Sequence, residues 1–124
     1  LGYLGLDYVN NLQPSAELRP ASESQTDEKD LMPYEILNMI ERLAWYDRLS
    51  PKQVLDKLVE DKVAPSHALK EYVHKFYTLW SRNQWKRERY APSFHLDDYN
   101  LDPRSWLRYP ILSGGFREEL SQLK

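Results

Sequence analysis

Basic and aromatic side chains come together in one ten-residue stretch, Ser81-Arg82-Asn83-Gln84-Trp85-Lys86-Arg87-Glu88-Arg89-Tyr90. The stretch holds four basic residues, one acidic residue and two aromatic residues. Cations beside aromatic rings near a helix end suit an anionic ligand. The alternative is a helix end whose charges are simply solvated, which is the common case for charge runs.

Nucleic acid is one class of anionic ligand for this stretch, since rings stack on bases and cations neutralise phosphates. The net charge of −2 and the absence of a groove-reading motif disfavour it. The charge is unevenly distributed, however. Residues 1–64 carry 7 basic and 12 acidic groups, a net of −5, and residues 65–124 carry 10 basic and 7 acidic groups, a net of +3. The basic half therefore suits either a phosphate or the acidic arm of the chain itself.

Residues for covalent chemistry or metal binding are scarce. The chain has no cysteine, which excludes disulfides, thiolate metal sites and a cysteine nucleophile. His67 and His74 lie seven residues apart on one predicted helix, about 10 Å along its axis and too far apart for one ion. Asp97 and Asp98 are expected to be solvated or to cap a neighbouring segment. We therefore predict no catalytic residue and no metal ligand in this chain.

The run Ser113-Gly114-Gly115 looks like a phosphate-binding loop, because it follows a short apolar run and precedes a predicted helical turn. It lacks the lysine-serine or aspartate-serine continuation that such loops need. We interpret it as a turn.

Three helical patterns follow a polar segment. Residues 14–30 hold three serines and five acidic groups, so we predict a surface loop that is either a ligand lid or disordered. A helix is predicted to open at Pro33, and a second to start at the cap Ser50, with Gln53 as its capping-box partner. The third is predicted to start at the cap Ser66 and to lead into the basic stretch.

Each helix presents one apolar face at helical spacing. The predicted core residues are Ile36, Leu37, Ile40, Leu43 and Ala44, then Val54, Leu55, Leu58 and Val59, and finally Leu69, Tyr72, Val73, Phe76, Tyr77 and Trp80. Irregular structure should follow Tyr90, anchored by Phe94, Tyr99, Trp106 and Tyr109, with a final helical turn near 116–123. Residues 1–13 are predicted as coil or a short helix, and no apolar run approaches the roughly 20 residues that span a bilayer. We predict a mainly α fold, three helices with irregular arms.

Several segments, taken in order, resemble the C-terminal part of glutamine-dependent NAD(+) synthetases. They are Pro14-Ser15-Ala16-Glu17-Leu18, Gln25-Thr26-Asp27-Glu28-Lys29-Asp30-Leu31, Tyr34-Glu35-Ile36-Leu37 and Gln84-Trp85-Lys86-Arg87. The tail from Phe94-His95 to Tyr109-Pro110 is similar to the form seen in some members. The resemblance covers residues 14–110, and the order and spacing of its motifs carry it.

The resemblance implies an enzyme that amidates deamido-NAD to NAD with ATP and Mg²⁺. Residues 1–124 would be the C-terminal segment of an α/β synthetase domain of the adenine-nucleotide alpha-hydrolase type. The family's nitrilase-like domain and pyrophosphate loop have no counterpart in this sequence, so we expect the segment to be inert alone. Its partners would be the remainder of the synthetase chain and further copies of it, in the cytoplasm and with no membrane contact.

The resemblance also assigns site residues by position. Lys86 matches a lysine that contacts deamido-NAD, and Trp85 occupies a position that is histidine in ammonia-dependent members. Ser15 matches a hydroxyl residue that contacts ATP. Glu17, Asp27 and Glu28 fall in a loop that closes over the site. The alternative function is a small helical module that binds a protein or nucleic acid through its basic aromatic patch.

Overall fold

The computed structural model describes residues 4–12, 18–20, 22, 25–89, 91, 94, 100–111 and 113–123. These residues form helices and irregular segments, with no strand in the ranges given, which confirms the predicted mainly α class. The chain divides into two compact units, residues 1–34 and residues 35–124. Over the described residues, none of the helices has the length and apolarity to cross a bilayer.

The helical segments follow the predicted order, with two additional short helices at Asp27–Asp30 and Gln84–Arg87. They are α1 (Leu4–Asn10), α2 (Asp27–Asp30), α3 (Tyr34–Glu41), a π-helical turn (Arg42–Tyr46), α4 (Pro51–Glu60), α5 (Ser66–Arg82), α6 (Gln84–Arg87) and α7 (Arg117–Ser121). The loop predicted through Asp30 is wrong for its last four residues, which form α2. The reason is a cap, since Thr26 Oγ1 accepts a hydrogen bond from the Lys29 amide at 3.3 Å.

The core of the second unit forms where α4 and α5 pack on each other and on the π-helical turn. Most of the predicted face residues are buried there, namely Ile36, Ile40, Ala44, Val54, Leu55, Leu58, Leu69, Val73, Phe76, Tyr77 and Trp80. Val59 is 40% exposed, so the apolar stripe of α4 is narrower than predicted. The prediction that Val59 is a core residue is therefore wrong.

Trp45 is a core residue that the helical pattern does not indicate. The Asp47 amide donates to the Arg42 carbonyl at 3.1 Å, which closes a π-helical turn. In such a turn residues five apart lie on the same face, so Trp45 joins Ile40 inside. Its indole lies 4.6–6.3 Å, between ring centroids, from five other rings: Phe76, Tyr77, Trp80, Tyr109 and Phe116.

The tail is anchored by some of the predicted aromatic residues. Tyr109 lies 5.9 Å from Trp45 between ring centroids, and Trp106 lies 5.0 Å from Tyr46. Phe94 is fully exposed, so its predicted anchoring role is wrong. Tyr99 lies outside the described residues. The tail is therefore held to the helices by residues that come late in it.

The starts of α4 and α5 differ although both carry a serine. Ser50 Oγ accepts from the Gln53 amide at 3.4 Å, and Gln53 Oε1 accepts from the Ser50 amide at 2.9 Å. This is the predicted capping box. Ser66 instead is the first residue of α5 and makes no side-chain cap, since Pro65 holds the cap position. The predicted capping role of Ser66 is wrong.

We predict that Ser50→Ala lowers the free energy of unfolding by about 1 kcal/mol, because it leaves the first-turn amides of α4 without their side-chain acceptor. Ser66→Ala is the matched control and should change the free energy by less than about 0.5 kcal/mol. Urea denaturation of the chain measures both. Equal effects of the two substitutions would contradict the capping assignment.

We predict that Leu69→Ala costs about 2–5 kcal/mol of unfolding free energy, because a fully buried side chain leaves a cavity. His74→Ala on the exposed face of α5 is the control, with an expected change within about 0.5 kcal/mol. The same denaturation experiment compares them. A Leu69→Ala protein as stable as His74→Ala would show that α5 packs through another face.

Candidate functional site

The basic aromatic stretch lies where α5 ends, as predicted. Asn83 leaves the helical conformation, with φ −101° and ψ 11°, and the short helix α6 follows. The break turns the chain between α5 and α6, so the side chains of the stretch point in different directions. Some face outward and others are buried in the second unit.

Trp85, Lys86 and Arg89 face outward and form what we call the Trp85 surface. The Trp85 side chain is 46% exposed. Lys86 Nζ and Arg89 Cζ each lie 5.8 Å from the centroid of the Trp85 ring. Two cations thus lie beside one accessible indole, which is an arrangement that suits an anionic ligand carrying a planar ring.

Two other members of the stretch are built into the fold. Gln84 is only 1% exposed. The Arg87 guanidinium carbon lies 3.7 Å from the centroid of the Trp80 ring, and its Nη2 donates to the Trp80 carbonyl. The four cations therefore do not act as one solvent-facing cluster, because Arg87 stabilises the end of α5 instead.

Sequence reasoning missed two features of this site. Arg89 received no role of its own, although its spacing of four residues from Trp85 is typical of side chains that meet on a helix face. In the sequence Gln84 belongs to a motif, and nothing in that motif marks it as a buried residue. No local pattern indicates its burial, because one of its partners is the carbonyl of the distant Tyr109, beside Glu88 just after α6.

Two of the predicted lid residues lie in the first unit and contact the same tyrosine. Glu28 Oε1 accepts from the Tyr34 amide at 3.0 Å. The Asp27 carboxylate accepts a hydrogen bond from the Tyr34 phenol. Partial burial and the charges of these two carboxylates raise the pKa of Tyr34 above its usual value. Asp27 and Glu28 thus hold the residue that opens α3.

Gln25 and Asp30 bond to other described residues of this segment. Gln25 Oε1 accepts from the Leu18 amide at 3.1 Å, and its Nε2 donates to Asp30 Oδ2 at 2.7 Å. Asp30 also pairs with Arg19 at 3.1 Å. Leu18 and Arg19 are therefore tied to the far end of the predicted lid. Ser15 and Glu17, predicted to bind ATP and to form part of the lid, lie outside the described residues.

A cavity of about 620 Å³ opens between the π-helical turn and the tail of the second unit. Its lining includes the rings of Trp45, Trp106 and Phe116 and the cations Arg48 and Arg108. Tyr77 also lines it, and burial raises the pKa of its phenol, whose hydroxyl donates to the Leu49 carbonyl at 3.1 Å. The cavity shares no lining residue with the Trp85 surface.

The run Ser113-Gly114-Gly115, which looks like a phosphate-binding loop in sequence, is a turn. Ser113 Oγ accepts from the Gly115 amide at 3.1 Å, and Gly115 has a φ of +78°, which favours glycine. Within the described part of the chain, no three histidine, aspartate or glutamate side chains come close enough to hold a metal ion.

Comparison with known proteins identifies relatives of the chain, although no protein-family model matches it. The chain is 34% identical over 94 residues to the glutamine-dependent NAD(+) synthetase of Dictyostelium discoideum, which covers 72% of this chain and 13% of that protein. It is 30% identical over 114 residues to the enzyme of the same name from Rattus norvegicus, covering 86% of this chain and 16% of the relative.

A solved structure agrees with these sequence relatives. The crystal structure of a glutamine-dependent NAD(+) synthetase from Cytophaga hutchinsonii is 56% identical and superposes with a TM-score of 0.72, over 75% of this chain and 16% of that one. The chain thus spans only a small part of the length of its relatives. Agreement in both sequence and fold confirms the resemblance drawn from the motifs: the chain belongs to the family of glutamine-dependent NAD(+) synthetases.

Proposed function

We propose that this chain forms the C-terminal segment of the amidating domain of a glutamine-dependent NAD(+) synthetase, where it helps to bind deamido-NAD and ATP. The observation that supports the proposal most directly is the outward pair Trp85 and Lys86. These two residues lie on the same exposed surface, in a chain whose relatives are NAD(+) synthetases. The intact enzyme would convert deamido-NAD to NAD by ATP-dependent amidation.

The chemistry of the Trp85 surface suits this substrate. Deamido-NAD carries a pyrophosphate, a carboxylate and two planar ring systems. Lys86 offers a compact positive charge to an oxyanion, and Arg89 offers a second positive charge beside the same indole. The exposed face of Trp85 offers a surface on which a ring can stack. The surface would bind and orient substrate, and the bond-making groups would come from elsewhere in the enzyme.

The ATP contribution is proposed on the resemblance. Ser15 would contact ATP, and Glu17, Asp27 and Glu28 would belong to a loop that closes over the site and excludes water from a hydrolysable acyl-adenylate. The bonds from Asp27 and Glu28 to Tyr34 are consistent with a loop whose far end is anchored. Mg²⁺ would accompany ATP. The described residues offer no cluster to hold that ion, so we assign it no ligand in this chain.

The remainder of the synthetase is the proposed partner of this segment. Apolar side chains that are at least 40% exposed occur in both units, among them Leu6, Val9, Leu12, Met39, Val59 and Ile111. Apolar surface of this kind is commonly covered by another part of a larger protein. We therefore propose that the segment is inert alone. Assembly of the intact enzyme into homo-oligomers and its cytoplasmic location stay predictions.

We predict that Lys86→Ala, made in the complete synthetase, raises the KM for deamido-NAD about tenfold. The reason is the loss of one charge-assisted contact, which is worth about 1.5–3 kcal/mol. Because such a contact binds substrate and transition state alike, kcat should change little. Steady-state kinetics with deamido-NAD as the varied substrate measures this.

Lys52→Ala is the matched control, because Lys52 is an exposed lysine of α4 whose salt bridge with Asp56 lies at the surface. It should leave both constants unchanged. Unchanged kinetics in Lys86→Ala would remove the site assignment. In that case, binding of arbitrary oligonucleotides with a steep dependence on salt would favour the nucleic-acid module instead.

A further inference from the structure

All hydrogen-bonding groups of the Gln84 side chain have partners. A glutamine amide offers two N–H donors and two acceptor positions on its oxygen. Nε2 donates to Glu88 Oε1 and to the Tyr109 carbonyl, both at 3.0 Å. Oε1 accepts from Arg87 Nε at 2.9 Å and from Arg87 Nη2 at 2.6 Å. Every polar position of this buried side chain is therefore satisfied.

Arg87 connects Gln84 to the end of α5. The last carbonyls of a helix lack intrahelical donors, and the Trp80 carbonyl is one of them because the helix breaks at Asn83. Arg87 Nη2 donates to this carbonyl, and the guanidinium stacks on the Trp80 ring at 3.7 Å. The planar fork of arginine makes these contacts at once, which a lysine does not reproduce.

Helix α6 is thereby braced on two sides. Arg87 ties it to α5 through Trp80, and Gln84 ties it to the tail through the Tyr109 carbonyl. A helix of four residues has almost no stability of its own, so its orientation depends on such contacts. Trp85 and Lys86 lie between the two bracing residues in sequence and point outward.

We propose that Gln84 and Arg87 are positioning residues for deamido-NAD binding: the Gln84–Arg87 brace fixes α6 so that Lys86 and Trp85 meet the substrate together. This inference rests on the proposed function, because it takes Lys86 as a substrate contact. It adds that Arg87, the third cation of the basic aromatic stretch, acts by holding its neighbours in place. A misplacement of about 1 Å at such a contact is enough to weaken binding substantially.

The test is a double-mutant cycle in the complete synthetase, made with Arg87→Lys and Lys86→Ala. Arg87→Lys keeps the charge and removes the fork. It should raise the KM for deamido-NAD about fivefold to tenfold, with the KM for ATP unchanged. In the Lys86→Ala background the same substitution should have less than about a twofold effect, because only Trp85 is left for the brace to position. A purely structural role would not produce this dependence on Lys86.

Arg42→Lys, at an exposed arginine of the π-helical turn, is the matched control and should leave all constants unchanged. Gln84→Leu removes all four bonds at similar volume and should lower both Tm and deamido-NAD affinity. Additive effects of Arg87→Lys and Lys86→Ala, or no effect of Arg87→Lys, would overturn the brace and leave the proposed function standing. An unchanged KM in Lys86→Ala alone would show that Lys86 does not contact the substrate. That result would overturn both the proposed function and the brace.

Discussion

The packing of the Trp45 indole is the contact on which the second unit depends. Its ring touches aromatic residues of α5, of the tail and of the segment before α7. A large buried ring removes much apolar surface from water, and neighbouring rings add to that gain. Elements that are far apart in sequence are thereby joined through one side chain. The π-helical turn is what makes this possible, because it brings Trp45 onto the same face as Ile40.

The same aromatic cluster determines where the candidate binding surface lies. Trp80 belongs to the cluster because its ring lies beside that of Trp45. The Arg87 guanidinium stacks on the same Trp80 ring. Tyr109 also belongs to it and supplies the carbonyl that holds Gln84. The orientation of α6 is therefore a consequence of core packing. A site that is exposed for a ligand can still be rigid when the residues beside it are buried and fully hydrogen-bonded.

Residues of the basic aromatic stretch have different structural roles. Its cations look equivalent in sequence, yet Arg87 is partly buried against the Trp80 ring, and Lys86 and Arg89 lie beside the accessible Trp85 ring. Partial burial of Arg87 is tolerated because its fork meets two acceptors and an aromatic face, which compensates the loss of water. In the first unit, Asp27 and Glu28 likewise combine a proposed role in a lid with bonds that hold Tyr34.

Local signals in the sequence were sufficient for α3, α4 and α5 and for the family. The serine-proline start of α4, the apolar faces of α3 to α5 and the ordered motifs each depend on residues close together in the chain, so they can be predicted without the fold. The π-helical turn, the burial of Trp45 and Gln84, and the exposure of Val59 and Phe94 required the tertiary structure. The reason is that burial at these positions depends on partners brought from a distance, such as the Tyr109 carbonyl 25 residues from Gln84. Residue types and spacing predicted an anion-binding surface at the end of α5, and packing against Trp80 and Tyr109 decided which side chains of that stretch are exposed.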